Sequence, residues 1–529
     1  MPKRTKYNQS NPFSSICSTE REAPLMGRGE DRISVLPNEI LQSILCLLPL
    51  KYAIRTSTLS KRWTQLWQFN LISSNSLQFG EDFSCNQSPK QFAATLDRYL
   101  QIHGNRNLDK FGILFSPFDI FFPNLEKWVA TVIAKGVKEL EIDLSQGVLL
   151  SFTQAYVDGR KPFVIPNALF NGNSLTHLSL ARCNLSDPFD LSNFVGLSSL
   201  CLDEVNLTDE MLTNILEHCV SLENIFLKRC EYLNVVKFVG DKLKLQKLVM
   251  VDCTSVYDME ISAPKLESFV CHGFTFFPAH VFGNVSKVND IYLCSSVSEE
   301  QFDEDFFRIL SDFSHVSVLT ICSSCLMRIV EEEYNEDDFP VELHNLQELQ
   351  LVLDSISKED IYCIFSFFRL CPSPFLEILF IQLPSNMYEQ SDISDSVTAE
   401  KNTQDIVFRN LRWIKITNFG GSPLELKLVK FFLEKATVLE SIYILMNQCD
   451  ISNDSLPLRI IQGQLSVIPK ASKDAHIVIR GPLDDDCGVN PTHTIYYHQE
   501  KYRKGTTVYH DYGIAGFGGE SIPLNREFL

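Results

Sequence analysis

The stretch LTHLSLARC, residues 175–183, carries leucines at Leu175, Leu178 and Leu180 and closes on Cys183. The last two leucines stand two apart, so on an extended strand both side chains project from one face. The same frame returns along the chain at Val137-Leu140-Ile142, Leu197-Leu200-Leu202, Leu222-Ile225-Leu227, Leu245-Leu248-Met250, Leu266-Phe269-Cys271 and Val288-Ile291-Leu293. Looser copies follow at Val316-Leu319-Ile321, Leu346-Leu349-Leu351, Leu376-Leu379-Ile381, Leu411-Ile414-Ile416 and Leu439-Ile442-Ile444.

One such strand cannot bury its own apolar strip, so successive copies must stack in parallel and share an interior. From Leu175 to Val288 the steps fall near the roughly 20–29 residues of leucine-rich repeats, and later steps are longer. The expected fold class is α/β: a solenoid with a curved parallel sheet and helices on its convex side. In 209-DEMLTNILEHC-219, Met211, Leu212, Ile215, Leu216 and Cys219 recur at helical spacing and supply one such helix. The variable positions between strand leucines, among them Thr176, His177, Ser179, Ser198, Ser199 and Cys201, make the concave face and its binding surface. Cys183, Cys230 and Cys253, three residues after the final strand position, take the small-residue slot where the chain leaves the strand. The polar insertions 329-IVEEEYNEDDFP-340 and 384–405 lengthen particular repeats and read as solvated loops.

The chain has 529 residues, 45% hydrophobic and 21% charged, which suits a large core plus a small extra domain. A net charge of −19 argues against broad nucleic-acid binding, which needs a basic footprint on phosphates. The N-terminal MPKRTKYNQSNPFSS lacks a signal-peptide core, and no run approaches the roughly 18 apolar residues of a membrane span. An intracellular chain of nucleus and/or cytoplasm is expected, with its sixteen cysteines as reduced, buried thiols. The basic MPKRTK reads as a solvated terminus.

No P-loop, H-E-x-x-H, nucleophile elbow or Rossmann fingerprint occurs, so no catalytic or cofactor-binding residue is assigned and a non-catalytic protein is expected. Cys322-x-x-Cys325 has no second pair at zinc-ribbon spacing, so no metal ligand is assigned. GIAGFGG at 513–519 lacks phosphate-loop spacing and reads as flexible tail. His493, His498 and His510 fit no metal template and are expected to face solvent.

The segment 36-LPNEILQSILCLLPLKYAIRTSTLSKRWTQLW-67 has more apolar surface than three short helices can enclose. Ile40, Leu41, Ile44, Leu45, Leu47 and Leu48 recur at helical spacing over about three turns, with Pro37 suited to the first turn and Pro49 ending the run. KYAIRTS supplies a second helix, and Ser60 caps a third in which Trp63 and Trp67 fall four apart. Leu36-Pro37, Ile40, Leu47-Leu48-Pro49, Ala53, Ser57, Leu59-Ser60-Lys61-Arg62-Trp63 and Leu66-Trp67 closely resemble the F-box. The resemblance implies a three-helix module docking on the Skp-type adaptor of a cullin-RING (SCF) ubiquitin ligase. Its contact residues would be Leu36, Pro37, Ile40, Ile44, Leu47, Leu48, Pro49, Leu59 and Trp63.

Residues 124–183 look like the repeat entry of plant F-box proteins with leucine-rich repeats. Residues 408–479 are similar to the FBD module that closes such proteins: a strand, a turn at Gly420-Gly421, a helix with Leu424, Leu428, Val429 and Phe432, then a further strand. The expected organisation is a disordered segment 1–31, F-box 32–70, connecting region 71–136, repeats 137–407, FBD module and C-terminal cap 408–480, and a tail 481–529 that matches nothing in the family. The function this implies is substrate recognition for ubiquitination: the F-box binds the Skp-type adaptor and through it cullin and RING subunits, and the repeats bind a protein target. The alternative is a repeat scaffold without a degradation role; a small-ligand receptor is a third possibility.

Overall fold

The computed structural model describes residues 33–495, apart from 34, 49, 81–82, 84–87, 116–118, 145–161, 166–173, 187–193, 275–281, 296–305, 332–340, 385–404, 448–455 and 483. The basic N-terminus, both polar insertions in their central parts, Pro49, His498, His510 and GIAGFGG lie outside the described residues. The chain divides into two units, Met1–Asn70 and Leu71–Leu529.

In the first unit a helix spans Asn38–Cys46, a second spans Leu50–Arg55 and passes into a 3₁₀ turn at Thr56–Thr58, and a third begins at Lys61. Pro37 stands at the N-cap of the first helix, where its missing N–H costs nothing, rather than inside the first turn. Leu41, Leu45, Ala53, Trp63 and Leu66 close into one apolar cluster, with Leu36 packed against it. Arg62 ties the entry chain down, its Nε donating to Asn38 Oδ1 (2.8 Å) and its Nη2 to the Leu36 carbonyl (2.5 Å).

The second unit is organised on a parallel sheet of fifteen strands among the described residues, beginning at Ser76–Phe79 and ending at His476–Arg480. Each strand of the sheet pairs with the next along the chain, so two apolar ribs run its length in constant register. One rib passes through Leu140, Leu178, Leu200, Ile225, Leu248 and Phe269, the other through Ile142, Leu180, Leu202, Leu227, Met250 and Cys271. None of the residues in the repeated apolar frame is more than 4% exposed. The α/β class and the repeat reading are borne out.

The sheet starts well before Val137. Strands Ser76–Phe79 and Lys110–Leu114 carry the ribs onward through Leu77↔Phe111↔Leu140 and Phe79↔Ile113↔Ile142. Residues 71–136 are thus part of the array and not only a connection to it. At the other end, strand His476–Arg480 is the last rung, with Ile477 and Ile479 only half-buried.

A local device repeats where the chain leaves each early strand. Arg182, Glu204, Arg229 and Asp252 hold φ of 55°, 52°, 50° and 52°, and Gly273 follows at 74°. A left-handed non-glycine residue costs about 1–2 kcal/mol. Each of these four recovers a bond, because its N–H donates to the next strand: to Asp203, Lys228, Val251 and His272 carbonyls at 2.8–2.9 Å. The turn drives the following residue inward, so Cys183, Val205, Cys230 and Cys253 are all buried. The Cys230 thiol lies 3.8 Å from the Leu202 carbonyl and that of Cys253 lies 3.6 Å from the Leu227 carbonyl. Burial pushes the Cys183 and Cys271 thiols far up and Cys219 to about 12, so these groups stay protonated.

The left-handed side chains form their own chain of charges, Arg182 to Glu204 and Arg229 to both Glu204 (3.1 Å) and Asp203. Burial raises Asp203 to about 6 against the lowering pull of Arg229. A carboxyl raised on folding contributes stability at low pH that is lost as pH rises through its folded value. Urea unfolding at about pH 4 and about pH 8 should therefore show wild type losing stability relative to Asp203→Asn at the higher pH. A gap between the two proteins that is constant with pH would exclude this assignment.

Helices between strands are fixed by their caps. Thr208 Oγ1 accepts from Met211 N (3.3 Å) to start Asp209–His218, which buries Met211, Leu212 and Ile215. Ser357 and Asp360 form a capping box on Lys358–Leu370, and Ser422 and Glu425 form one on Pro423–Lys435. Gly421, at φ 83°, makes the turn before Ser422, and a Cβ there would stand 2.6 Å from Ile461 Cδ1. Phe365 and Phe431 then pack between the two helices with centroids 4.1 Å apart and their rings tilted by 32°.

Candidate functional site

The Asn38–Cys46 helix carries two apolar stripes, and only one is used internally. Leu41 and Leu45 are fully buried in the helical cluster. Ile40 and Ile44, one residue earlier in each turn, are 48% and 38% exposed, and Leu47 beyond the helix is 85% exposed. Leu48, Tyr52 and Leu59 are exposed as well. Large apolar side chains gathered at this density on a small folded unit mark an interaction surface. Of the residues assigned to adaptor contact, Pro37, Ile40, Ile44, Leu47, Leu48 and Leu59 are exposed, and Leu36 is half-buried against the cluster.

Trp63 departs from its assigned place. It is 7% exposed and sits inside the cluster with Leu41, Leu45 and Leu66. Its indole is too large for so small a core to leave outside, so it is a packing residue of this unit. Tyr52 joins the exposed set and was not singled out from the sequence; its ring, 5.5 Å from the Arg55 guanidinium, lies one helical turn before that residue.

In the sheet, the residues between rib positions form the opposite face. Thr176, His177, Ser179, Ser198 and Cys201 are half-buried, whereas Ser199 is buried. Ser198 Oγ donates to the Thr176 carbonyl at 3.0 Å, and Thr176 Oγ1 lies 2.9 Å from His177 Nδ1. Farther along, the equivalent Tyr292, Thr320, Lys415 and Tyr443 are all under 10% exposed. Segment 484–493 of the tail contacts each of these four side chains. His493, expected in solvent, is 6% exposed, its Nε2–H donating to Asp290 Oδ1 at 3.0 Å.

The Cys322 and Cys325 sulfurs lie 3.7 Å apart, both buried, and Cys325 lies 3.4 Å from the Leu293 carbonyl. Among the described residues no group of three or more His, Cys, Asp or Glu side chains could hold a metal ion. No helix among them is long and apolar enough to cross a membrane.

A family model described as At1g61320/AtMIF1, LRR domain, matches residues 100–471. The chain belongs to this leucine-rich-repeat family. An F-box domain model matches residues 33–72, the region of the helical unit, so the protein is an F-box/leucine-rich-repeat protein. F-box/LRR-repeat protein 13 of Arabidopsis thaliana is 24% identical over 487 residues, 87% of this chain and 99% of that protein. F-box/LRR-repeat protein At3g59200 is 28% identical over 45% of this chain and 44% of itself. F-box/FBD/LRR-repeat protein At2g04230 is 31% identical over 42% and 48% respectively, both from the same plant. F-box domains generally bind Skp-type adaptors in SCF complexes, and proteins built as this F-box/leucine-rich-repeat protein is are typically non-catalytic.

Proposed function

We propose that this F-box/leucine-rich-repeat protein is the substrate-recognition subunit of an SCF-type E3 ubiquitin ligase, working inside the cell. The observation that carries the reading is the exposed stripe Ile40, Ile44, Leu47, Leu48 and Leu59 on a folded core formed by the matched F-box residues. The stripe, with Leu36, Pro37 and Pro49, holds the Skp-type adaptor and through it cullin and RING subunits. The face of the sheet opposite the two ribs holds a target protein, and residues 408–480 act as the FBD module of this family.

The chain itself forms no bond in this scheme. It holds a target lysine near a ubiquitin-charged partner, and raising the effective concentration of two reactants is enough to accelerate their encounter. Full-length protein should co-purify with a Skp-type adaptor, and Ile40→Ser/Ile44→Ser should lose at least about tenfold in affinity. A cellular protein whose ubiquitination depends on this chain separates the receptor from a scaffold. Equal adaptor capture by wild type and the double variant would sink the proposal.

A further inference from the structure

The tail beyond strand His476–Arg480 turns back and runs over that same face of the sheet. Asp486 accepts from Tyr443 Oη and from Arg480 Nε (3.2 Å), bonds that hold its carboxyl below the usual range. Asp485 Oδ2 accepts from Lys415 Nζ at 2.6 Å. The same ammonium donates to the Val489 carbonyl (3.0 Å) and Asn490 Oδ1 (3.2 Å), so all three of these bonds end in the tail. Farther on, Thr492 donates through N–H and Oγ1 to the two carboxylate oxygens of Glu348, at 2.7 and 2.8 Å. His493 then reaches Asp290 and Thr320, its ring set edge-on to Tyr292 with centroids 5.7 Å apart.

From Tyr443 to Asp290 the path crosses five strand spacings in the sheet order. At roughly 4.8 Å each that is about 24 Å. The seven residues from Asp486 to His493 reach about 23–25 Å when extended. The segment crosses those strands without being straight: Asp485, Val489 and Asn490 all meet the one Lys415 ammonium, Gly488 turns at φ 68°, and the long side chains of the strands reach across the remaining distance.

The face that grips it has a polarity. Lys415 and Arg480 at one end call for carboxylates, and Glu348 and Asp290 at the other call for hydrogen-bond donors. A lysine side chain only 6% exposed, with its mapped partners all on a crossing segment, is a site built for an acidic ligand. We propose that this face is a peptide-binding site for partner segments carrying paired carboxylates and, about seven residues later, a Thr-His donor pair. Residues 484–493 occupy it in the free protein as an internal copy of that ligand, and a partner binds by displacing them. This extends the target-recognition reading above, but its test involves neither adaptor nor ubiquitin, so either can fail alone.

The probe is a fluorescein-labelled synthetic peptide with the sequence of residues 484–494, DDDCGVNPTHT, with serine in place of the cysteine. The protein is the full chain, as wild type and as the release variant Asp485→Ala/Asp486→Ala/Thr492→Ala/His493→Ala. Fluorescence anisotropy should show the release variant binding the peptide at least about tenfold more tightly than wild type, and Lys415→Ala added to it should reverse most of the gain. Equal affinity for both proteins, binding by neither, or a gain that Lys415→Ala leaves intact would overturn the proposal. Hydrogen exchange on the wild type gives a readout that needs no variant to fold. The Thr492 amide should exchange at least about a hundredfold faster than amides of strands Lys247–Val251 and Ser268–Phe274, because the segment opens while the sheet stays closed. Exchange at the rate of those strands would make the segment a fixed part of the fold and would equally overturn the proposal.

Discussion

Leu47→Asp should lower affinity for a Skp-type adaptor by about 30-fold or more, an effect of the size seen at interface hot spots, while shifting the unfolding midpoint by only about 1 °C. The asymmetry follows from position. Leu47 is 85% exposed, so a charge there meets water in the free protein and desolvation only in the complex. Trp63→Ala is the opposite case. It empties the middle of a cluster that holds few other large side chains, at a cost of about 3–5 kcal/mol, so it should abolish binding by unfolding the helical unit. Calorimetric titration with the adaptor, paired with circular dichroism melts, distinguishes the two. Wild-type affinity in Leu47→Asp would remove the exposed stripe from the interface.

Within the repeat array the largest effect on stability is expected at Trp128, in helix Phe122–Ala134. Its ring is fully buried among Phe92 and Phe115, at 6.3 and 6.0 Å between centroids, and its Nε1–H donates to Asp97 Oδ1 at 3.0 Å. Trp128→Ala should cost about 3–5 kcal/mol. Trp128→Phe should cost less, because Asp97 keeps Lys127 at 3.0 Å as a partner. Stacked repeats touch mainly their neighbours, so the damage should stay near the N-terminal end of the array. Hydrogen exchange should rise in strands Ser76–Phe79 and Lys110–Leu114 and hardly change in Ser441–Met446. A uniform rise along the sheet would show that the array unfolds as one cooperative block.

The repeats were legible because their code is simple: two apolar positions on one face of a strand, renewed each turn of the solenoid. The first rung was harder to see for a physical reason. Leu108, Phe111 and Ile113 hold the full frame and are buried, yet Ser74 stands where the preceding copy would need its first apolar residue, leaving only Leu77 and Phe79. The left-handed residue before each of Cys183, Val205, Cys230 and Cys253 left no mark either, since Arg, Glu and Asp take that conformation here only because the next strand offers a carbonyl.

On the helical unit, spacing placed Ile40, Ile44, Leu41 and Leu45 on one helix, but it could not divide them between core and surface. That division depends on where the third helix puts Trp63. The tail was the deepest miss. Hydrophobicity marks burial, and DDDCGVNPTH has little of it; His493 is buried by hydrogen bonds to partners roughly 200 residues away, which no local pattern reports.

That separation has a consequence in time. Asp290 and His493 are 203 residues apart, and chains are synthesised at about 5–20 residues per second. The strands around Asp290 are therefore made roughly 10–40 s before the segment that crosses them. Repeats can fold as they emerge, so the Asp290 end of this face stands open on the ribosome for that interval, and the Lys415 end, 70 residues before Asp485, for only about 4–14 s; a partner present at the site of synthesis meets the face in that time without competition.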